Sequence, residues 1–527
     1  YKPQGYGVWV QEIINSESGL YQFNPQAVFV IIDGNEFIGE QYDLQKAYNH
    51  IDTYIKYIKQ AVETHSDISY FVSNFDIIQK NITSVKSSYM ERILEAYWGR
   101  ELLTLNQRYK NLYVFDLKNL VEEVGRENFY SQKLWYLGGM RFSMKAEKRL
   151  TNSVFRYITA LEGRKKKCII LDLDNTLWGG VVGELGVEGI QLSDVGEGAR
   201  YKDFQKRLKE IKELGIILCI VSKNNYDDAI EVIRNHKHMV LRPDDFVLMK
   251  INWELKAYNI RQICEELNIG IDATVFIDDN PVEREGVKVE LPKVTVPDFP
   301  EDTSELEKFI KQVYYEHFYT LKTTQEDKNK SEIYKQNIKR VTAMKSSESF
   351  GDFLESLDTK IKIGVLKSEQ IERSTQLVQK TNQFNLTTKR YNEADIQNFI
   401  NSDRYKVFTV HVSDKFGDNG MVSLVILKRI SEFTSEIDTF IMSCRVMGRF
   451  IEDQIISFIE TYLKKNGYKE LMAYYVPTKK NHPVKELYER LGYTVVQEDE
   501  KGNKEYVFTL NNNNIYNRKE FGELIEL

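Results

Sequence analysis

The sequence predicts an α/β protein of several domains built on parallel sheets, and three observations carry that expectation. Short apolar runs recur, among them Ala27-Val-Phe-Val-Ile-Ile32, Cys168-Ile-Ile-Leu171, Ile216-Ile-Leu-Cys-Ile-Val221 and Thr274-Val-Phe-Ile277, and helix-length amphipathic stretches separate them. That alternation is the α/β layer pattern. Several of these runs end in polar residues, as strands do where an open parallel sheet presents its chemistry. From about Ser349 the pattern changes to longer strands around polar turns, the mark of an antiparallel α+β domain. At 527 residues the chain has room for about three domains.

Composition narrows the class. A hydrophobic share of 42% and a charged share of 28% describe an ordinary globular protein, and a formal charge of −6 leaves no nucleic-acid footprint. No apolar run approaches the ~20 residues of a membrane helix, and no signal peptide is visible. Cys168, Cys219, Cys264 and Cys444 form no CxxC pair or disulfide framework, which fits a cytoplasmic location. The chain opens on Tyr1, so upstream sequence is expected to be missing.

Residues 1–160 read as the first domain. The strand Ala27–Ile32 ends at Asp33-Gly34-Asn35; a helix through Tyr48–Thr64, the strand Ile68–Val72, a helix through Tyr89–Tyr109 and the strand Leu112–Asp116 follow. This order resembles a truncated SGNH-hydrolase domain. That family uses an early GDS serine and a late Asp-x-x-His pair; no GDS occurs here, and Gly138-Gly-Met-Arg-Phe-Ser143 stands where the histidine is expected. The domain is therefore expected to be a non-catalytic platform. The basic cluster Arg164–Lys167 marks its boundary and reads as a solvated strand start.

Residues 161–300 carry the reactive motif. The strand through Leu171 leads into Asp172-Leu-Asp174-Asn-Thr176-Leu-Trp-Gly179-Gly180. Two carboxylates this close repel unless a cation lies between them, and hard oxygen ligands suit magnesium. One aspartate can serve as nucleophile while its neighbour shuttles a proton; a bare DxD can equally be a solvated turn. Three further pieces follow in order. Ser222 ends a strand and can either donate to a phosphoryl oxygen or cap the helix Tyr226–His236. Lys256 opens the helix Ala257–Leu267, where an ammonium is electrostatically unfavourable for the helix. It is either a surface lysine or the group that neutralises the carboxylates and a phosphoryl group. Asp278-Asp279-Asn280-Pro281 ends the last strand, with Asp279 completing a magnesium site and Asp278 ligating or orienting a water.

This ordered set resembles the haloacid-dehalogenase (HAD) superfamily. The resemblance implies Asp172 as the phosphorylated nucleophile and Asp174 as acid/base, with Thr176, Ser222 and Lys256 on the phosphoryl group. It also implies Mg2+ held by Asp172, Asp174, Asp279 and Asp278. The spacing between motifs is too short for a large cap, so a macromolecule or another domain must help exclude water.

Residues 301–348 read as a helical linker rich in Lys, Glu and Gln, with Tyr314, Tyr315 and Phe318 clustered, and it is expected to pack against the HAD-like domain. Residues 349–527 form the third domain, with strands Val407–Val412 and Gly420–Leu427 around the turn Lys415–Asn419, a strand Glu436–Ser443, and Arg445-Val-Met-Gly448-Arg449 before the helix Ile451–Lys464. This resembles the GNAT acyltransferase fold, whose Arg/Gln-x-x-Gly-x-Gly/Ala amides cradle a pantetheine pyrophosphate. Phe450 stands where a small residue is expected, which puts acetyl-CoA binding in doubt. Cys444, beside Arg445 and Arg449 and placed at a helix start, is the candidate acyl acceptor; a packing residue at a strand end is the alternative. The other three cysteines lie in apolar segments and read as core residues. Thr381-Asn382-Gln-Phe-Asn-Leu-Thr-Thr388-Lys-Arg-Tyr391 breaks every period, so it is either the wall of a polar pocket, with Asn382 a substrate contact, or a capped turn.

The strings around Asp172, Asp278, Thr381–Thr388 and Ser443–Arg449 together resemble FkbH-like proteins. That resemblance implies a phosphatase and glyceryltransferase that takes a three-carbon unit from 1,3-bisphosphoglycerate and loads it, through a Cys444 thioester, onto a phosphopantetheinylated acyl carrier protein. Arg445 and Arg449 would stabilise anionic groups. Polyketide or surface-polysaccharide biosynthesis would be the setting. Two alternatives stay open: a phosphatase fused to an acyl-CoA-dependent N-acyltransferase, and a phosphatase with a carrier-protein docking module.

Overall fold

The computed structural model describes residues 8–37, 43–77, 82, 85–87, 90–510 and 521–527, and the chain divides into the units Tyr1–Ile158 and Thr159–Leu527. In the first unit, β1 (Ala27–Val30), β2 (Ser69–Ser73) and β3 (Leu112–Phe115) pair in parallel in that order. The helices Leu44–Thr64 and Met90–Arg108 form the crossovers, burying Ile51, Ile58, Trp98 and Leu102. The first helix starts at Leu44, earlier than its apolar period indicates, because the Asp43 carboxylate accepts from the Gln45 and Lys46 amides.

In the second unit, β4 (Cys168–Leu171), β5 (Ile217–Ser222), β6 (Leu248–Ile251) and β7 (Thr274–Ile277) form a parallel sheet ordered β6-β5-β4-β7. Every residue of β4 is buried, as a strand covered on both faces requires. Leu208 and Ile211 of the helix Gly196–Glu213 cover one face, and Ile260 and Ile263 of the helix Lys256–Glu266 the other. The ends of β4 and β7 bring Asp172 beside Asp278 and Asp279.

The linker segment is not a free spacer. Leu306, Ile310 and Val313 of the helix Leu306–His317 belong to the core of this sheet. The helix Lys330–Lys345 packs Tyr334 and Ile338 on its other face, and its Arg340 reaches the next sheet.

That next sheet has eight strands: β8 (Lys360–Val365), β9 (Tyr405–Asp414), β10 (Gly417–Arg429), β11 (Thr434–Met442), β12 (Glu470–Tyr475), β13 (Thr494–Glu498), β14 (Lys504–Thr509) and β15 (Glu523–Glu526), ordered β13-β14-β12-β11-β10-β9-β8-β15. The helix Ile451–Lys465 buries Ile451, Ile455, Ile459 and Leu463 against it. The expected turn Lys415–Asn419 is shorter than the sequence predicts. β10 already begins at Gly417, which pairs with Asp414, because Gly417 takes a φ of +142° at the strand entry.

The parallel pair β11–β12 holds for only three residue pairs, Thr434–Glu436 against Glu470–Met472, and then diverges. The irregular segment around Phe384–Leu386 supplies the missing main-chain partners. Phe384 O accepts from Met442 N at 3.1 Å, Leu386 N donates to Phe440 O at 3.4 Å, and Leu386 O accepts from Val476 N at 2.8 Å. The break in the sheet is thus closed by the chain's own backbone.

Candidate functional site

Asp172, Asp278 and Asp279 each offer an oxygen within 4.8 Å of one another. Between two of them lies Lys256, whose Nζ is 2.6 Å from Asp278 Oδ2 and 3.0 Å from Asp172 Oδ1. Lys256 is only 5% exposed, so it is not a surface lysine. Burial works against its ammonium, but the charges of Asp172 and Asp278 outweigh that and raise its pKa. Burial pushes the Asp172 carboxyl up, against the Lys256 charge and the Ser222 hydroxyl. Asp278 rises to about 6 through burial and the neighbouring Asp172 charge, and Asp279 rises through burial and Asp278. Three carboxylates strained upward by burial and mutual repulsion are a donor set that a divalent cation relieves. Asp172 Oδ1 is buried and is met by the Lys256 ammonium at 3.0 Å, a cation position beside the other two carboxylates. The residues present fit magnesium.

Thr176 ties the two strand ends together: its hydroxyl accepts from Asp279 N at 3.2 Å and lies 3.4 Å from Asp279 Oδ1. Ser222 is buried at the end of β5, and Asn225 occupies the N-cap position of the helix after it, so Ser222 is not the cap residue. Arg284 Nη1 donates to the carbonyls of Asp278 and Asp279 at 2.9 and 2.6 Å and fixes that turn.

Asp174 is not in the carboxylate group. Trp178 Nε1 and Val182 N donate to its Oδ1 at 2.9 and 3.2 Å, and Asn224 Nδ2 donates to its Oδ2 at 2.8 Å. The side chain is turned from the other three and held by donors, while burial raises its pKa. That arrangement suits proton transfer better than a fourth side-chain ligand. Asn175 between the two aspartates takes a φ of 54°, and its Oδ1 accepts from Gly180 N at 2.8 Å, closing the loop. Trp178, Asn224 and Arg284 were not singled out by the sequence; Trp178 and Asn224 lie within the quoted motifs, but their partners are visible only in three dimensions.

Cys444 is elsewhere. It opens a 3₁₀ turn, Cys444–Val446, and the long helix begins only at Ile451, so the expected helix-start position is corrected. The cysteine lies on the seam with the parallel-sheet region: Asn268 Nδ2 donates to Cys444 O at 3.3 Å, and Cys444 Sγ lies 4.0 Å from Asn268 O. Asn268 follows the helix Lys256–Glu266, whose other end carries Lys256. At ~1.5 Å a residue the eleven-residue helix is itself about 16 Å long, and the carboxylate group and the thiol lie near its opposite ends. Arg445 Nε donates to Ser443 Oγ at 3.0 Å, while Arg449 Nη1 donates to the buried Asp414 at 2.8 Å. The Asn382 amide oxygen accepts from Arg390 Nη2 at 2.7 Å.

The remaining cysteines are core residues. Cys168 and Cys219 meet at 3.8 Å inside the sheet, and burial pushes the Cys264 thiol up to about 12. In the first unit, Asp33 pairs with Arg141, whose guanidinium lies 3.9 Å over the Trp135 ring. An ion pair therefore sits just beyond the end of β1.

A family model described as FkbH, N-terminal domain, matches residues 5–158. Among solved structures, the chain is similar to the N-terminal part of the protein BF1531 from Bacteroides fragilis, containing a phosphatase domain complexed with Mg. Identity is 30%, covering 60% of this chain and 86% of that one, with a TM-score of 0.55. A domain from Methanocaldococcus jannaschii is 18% identical over 29% of this chain and 99% of its own, with a TM-score of 0.25. The ribosomal-protein-S18-alanine N-acetyltransferase from Escherichia coli is 13% identical over 30% of this chain and 99% of its own, with a TM-score of 0.23. No curated protein matches the chain.

Proposed function

The chain belongs to the FkbH family, and on that premise we propose that it is a magnesium-dependent phosphatase and acyltransferase acting on a phosphorylated three-carbon acyl donor. The observation that carries the reading is the Asp172–Lys256–Asp278 arrangement with Asp279 beside it at two adjacent strand ends. Asp172, Asp278 and Asp279 would hold the magnesium ion, which supplies Lewis-acid stabilisation of phosphoryl oxygens. The Asp172 carboxylate attacks phosphorus; the P–O bond to the leaving group breaks, and the leaving oxygen takes its proton from Asp174. Water then attacks the aspartyl phosphate with Asp174 as base, releasing phosphate and restoring Asp172. Lys256 and Ser222 face the same carboxylate and would hold the phosphoryl oxygens.

The second centre is Cys444. Its sulfur attacks the acyl carbon of 1,3-bisphosphoglycerate or its dephosphorylated form. The acyl phosphate must still be in place, so only the 3-phosphate can be lost beforehand; the C–S bond forms, the acyl C–O bond breaks, and inorganic phosphate leaves with the electron pair and takes up the thiol proton. The phosphopantetheine thiol of an acyl carrier protein then attacks the thioester, takes the glyceryl unit and frees Cys444. Arg445 beside the thiol would steady the anionic leaving group.

Intact-protein mass spectrometry after mixing the chain with magnesium, 1,3-bisphosphoglycerate and a phosphopantetheinylated carrier protein tests this. A glyceryl mass is expected on the enzyme, then on the carrier, and absent in Cys444→Ala. An adduct persisting in Cys444→Ala would refute the thioester route. Phosphate release without acylation of either protein would leave a phosphatase alone.

A further inference from the structure

At the end of the eight-stranded sheet away from Cys444 lies an open cleft of about 400 Å³. Its back is apolar: Val407 of β9, Leu427 of β10 and Leu463 of the helix Ile451–Lys465 are buried there. Three cations line it. Arg429 N donates to Arg404 O at 2.8 Å, so the two arginines stand opposite each other across the pair β9–β10. Lys406, paired with Leu427, is two residues along from Arg404, where the pleat returns side chains to the same face. β11 starts at this cleft, through Ser435 beside Arg429, and ends next to the Cys444 turn. Its nine residues, about 30 Å at ~3.3 Å each, separate the two places.

The cations are uncompensated. Arg404, Lys406 and Arg429 are exposed, and among the described residues none of them has a carboxylate partner, whereas the adjacent Lys428 pairs with Glu436 at 2.8 Å. Arg404 Nε reaches the Arg429 carbonyl at 3.4 Å. Asp403 is the one acid in the lining. Like charges set directly opposite on a sheet cost stability. A cleft that gathers three cations against one carboxylate attracts anions. The walls are aromatic. Tyr462 and Tyr468 are half-buried in the cleft, Tyr462 is held edge-on by Phe408 at 4.9 Å, and Tyr405 packs on Phe399 at 4.5 Å.

We propose that this cleft binds a nucleoside phosphate, with Arg404, Arg429 and Lys406 on its phosphate chain and Tyr462 and Tyr468 against its base. Guanidiniums take phosphate oxygens two at a time, and the ammonium adds a point charge. Stacking on aromatic rings tolerates any base, so the cleft selects the class and not one member of it. Its volume is that of a small-molecule site. An aliphatic phosphate would use the cations and leave the rings idle, and a neutral ring would do the reverse. The ligand touches neither the carboxylate group nor Cys444, so this inference stands or falls apart from the transferase reading.

The test is isothermal titration calorimetry of the full chain in EDTA, with ADP as probe and adenosine and pyrophosphate as its two halves. One-to-one binding of ADP is expected, tighter than either half by about tenfold or more and weakened by added salt. Arg429→Met and Tyr468→Leu should each weaken it at least tenfold. Arg429→Met should unfold in urea at or above the wild-type midpoint, because it removes one of two facing charges, so its loss of binding is not a loss of fold. Without ADP, its phosphate release should equal that of wild type. No binding of ADP, or binding that neither variant alters, would overturn the site. Pyrophosphate bound as tightly as ADP would overturn the assignment of a nucleoside.

Discussion

Trp178 Nε1 donates to Asp174 Oδ1 at 2.9 Å, so an indole four residues along the loop fixes the direction of the proposed acid/base. Trp178→Phe should lower kcat for phosphate release from a phosphomonoester by about 10–100-fold, the usual cost of losing such a positioning bond, with less change in KM. Burial raises the Asp174 pKa, and Val182 N, Trp178 and Asn224 hold it down. Losing the indole should therefore move the Asp174 limb of the pH–rate profile to higher pH. A lower rate with an unmoved profile would reduce Trp178 to a packing residue.

Lys256→Met removes the cation from a buried group of carboxylates. Breaking such a pair from one side costs about 3–5 kcal/mol, which urea unfolding in EDTA would read. Magnesium binding to the native state should then raise the midpoint of the variant more than that of wild type. Equal gains in the two proteins would argue that Lys256 and the metal do not share carboxylates.

Magnesium affinity should fall with acidity. The Asp278 carboxyl, raised to about 6 by burial and by Asp172, is ionised above that pH and binds a cation; below it a proton competes. Calorimetric affinity at pH 7 should exceed that at pH 5, and a flat profile would contradict the assignment. In EDTA the sign of the stability term is opposite. A raised carboxyl stabilises the fold below its unfolded value near 3.8, and that contribution is lost as pH rises through about 6.

Asp414 behaves in the other direction. Burial raises its pKa, but hydrogen bonds and charge from Arg340, with the Arg449 charge, win and hold it below 3.8. Its contribution is therefore complete above pH 3.8 and disappears as pH falls through the lowered folded value. Asp414→Asn leaves two buried guanidiniums unopposed and should cost about 3–5 kcal/mol at neutral pH. A loss below about 1 kcal/mol in urea would mean that the cluster relaxes to water.

The carboxylate group was legible because its placement is local. A buried strand followed at once by Asp172 and Asp174, and another by Asp278 and Asp279, puts four carboxylates at known strand ends whatever the rest does. Which of them face one another was not legible, since it depends on Trp178 and Asn224 taking the oxygens of Asp174. The linker helix was expected against the parallel-sheet domain, where Leu306, Ile310 and Val313 lie, but its reach to the next sheet was not legible. Arg340 meets Asp414 across 74 residues, and helical periodicity reports a face without naming what covers it. The irregular Thr381–Tyr391 run did signal something unusual, yet nothing in its composition says that its backbone closes the break between β11 and β12.

One helix joins the two centres, and it keeps them apart. If both centres act on one molecule, as proposed, that molecule must leave one end of Lys256–Glu266 and diffuse to the other. The outcome is then a race between recapture and escape. An acyl phosphate in transit is open to hydrolysis or to any free thiol in solution, so the yield of thioester per phosphate released should drop as competing thiol is added. That leak is a direct readout of how far apart the fold has set its two reactions.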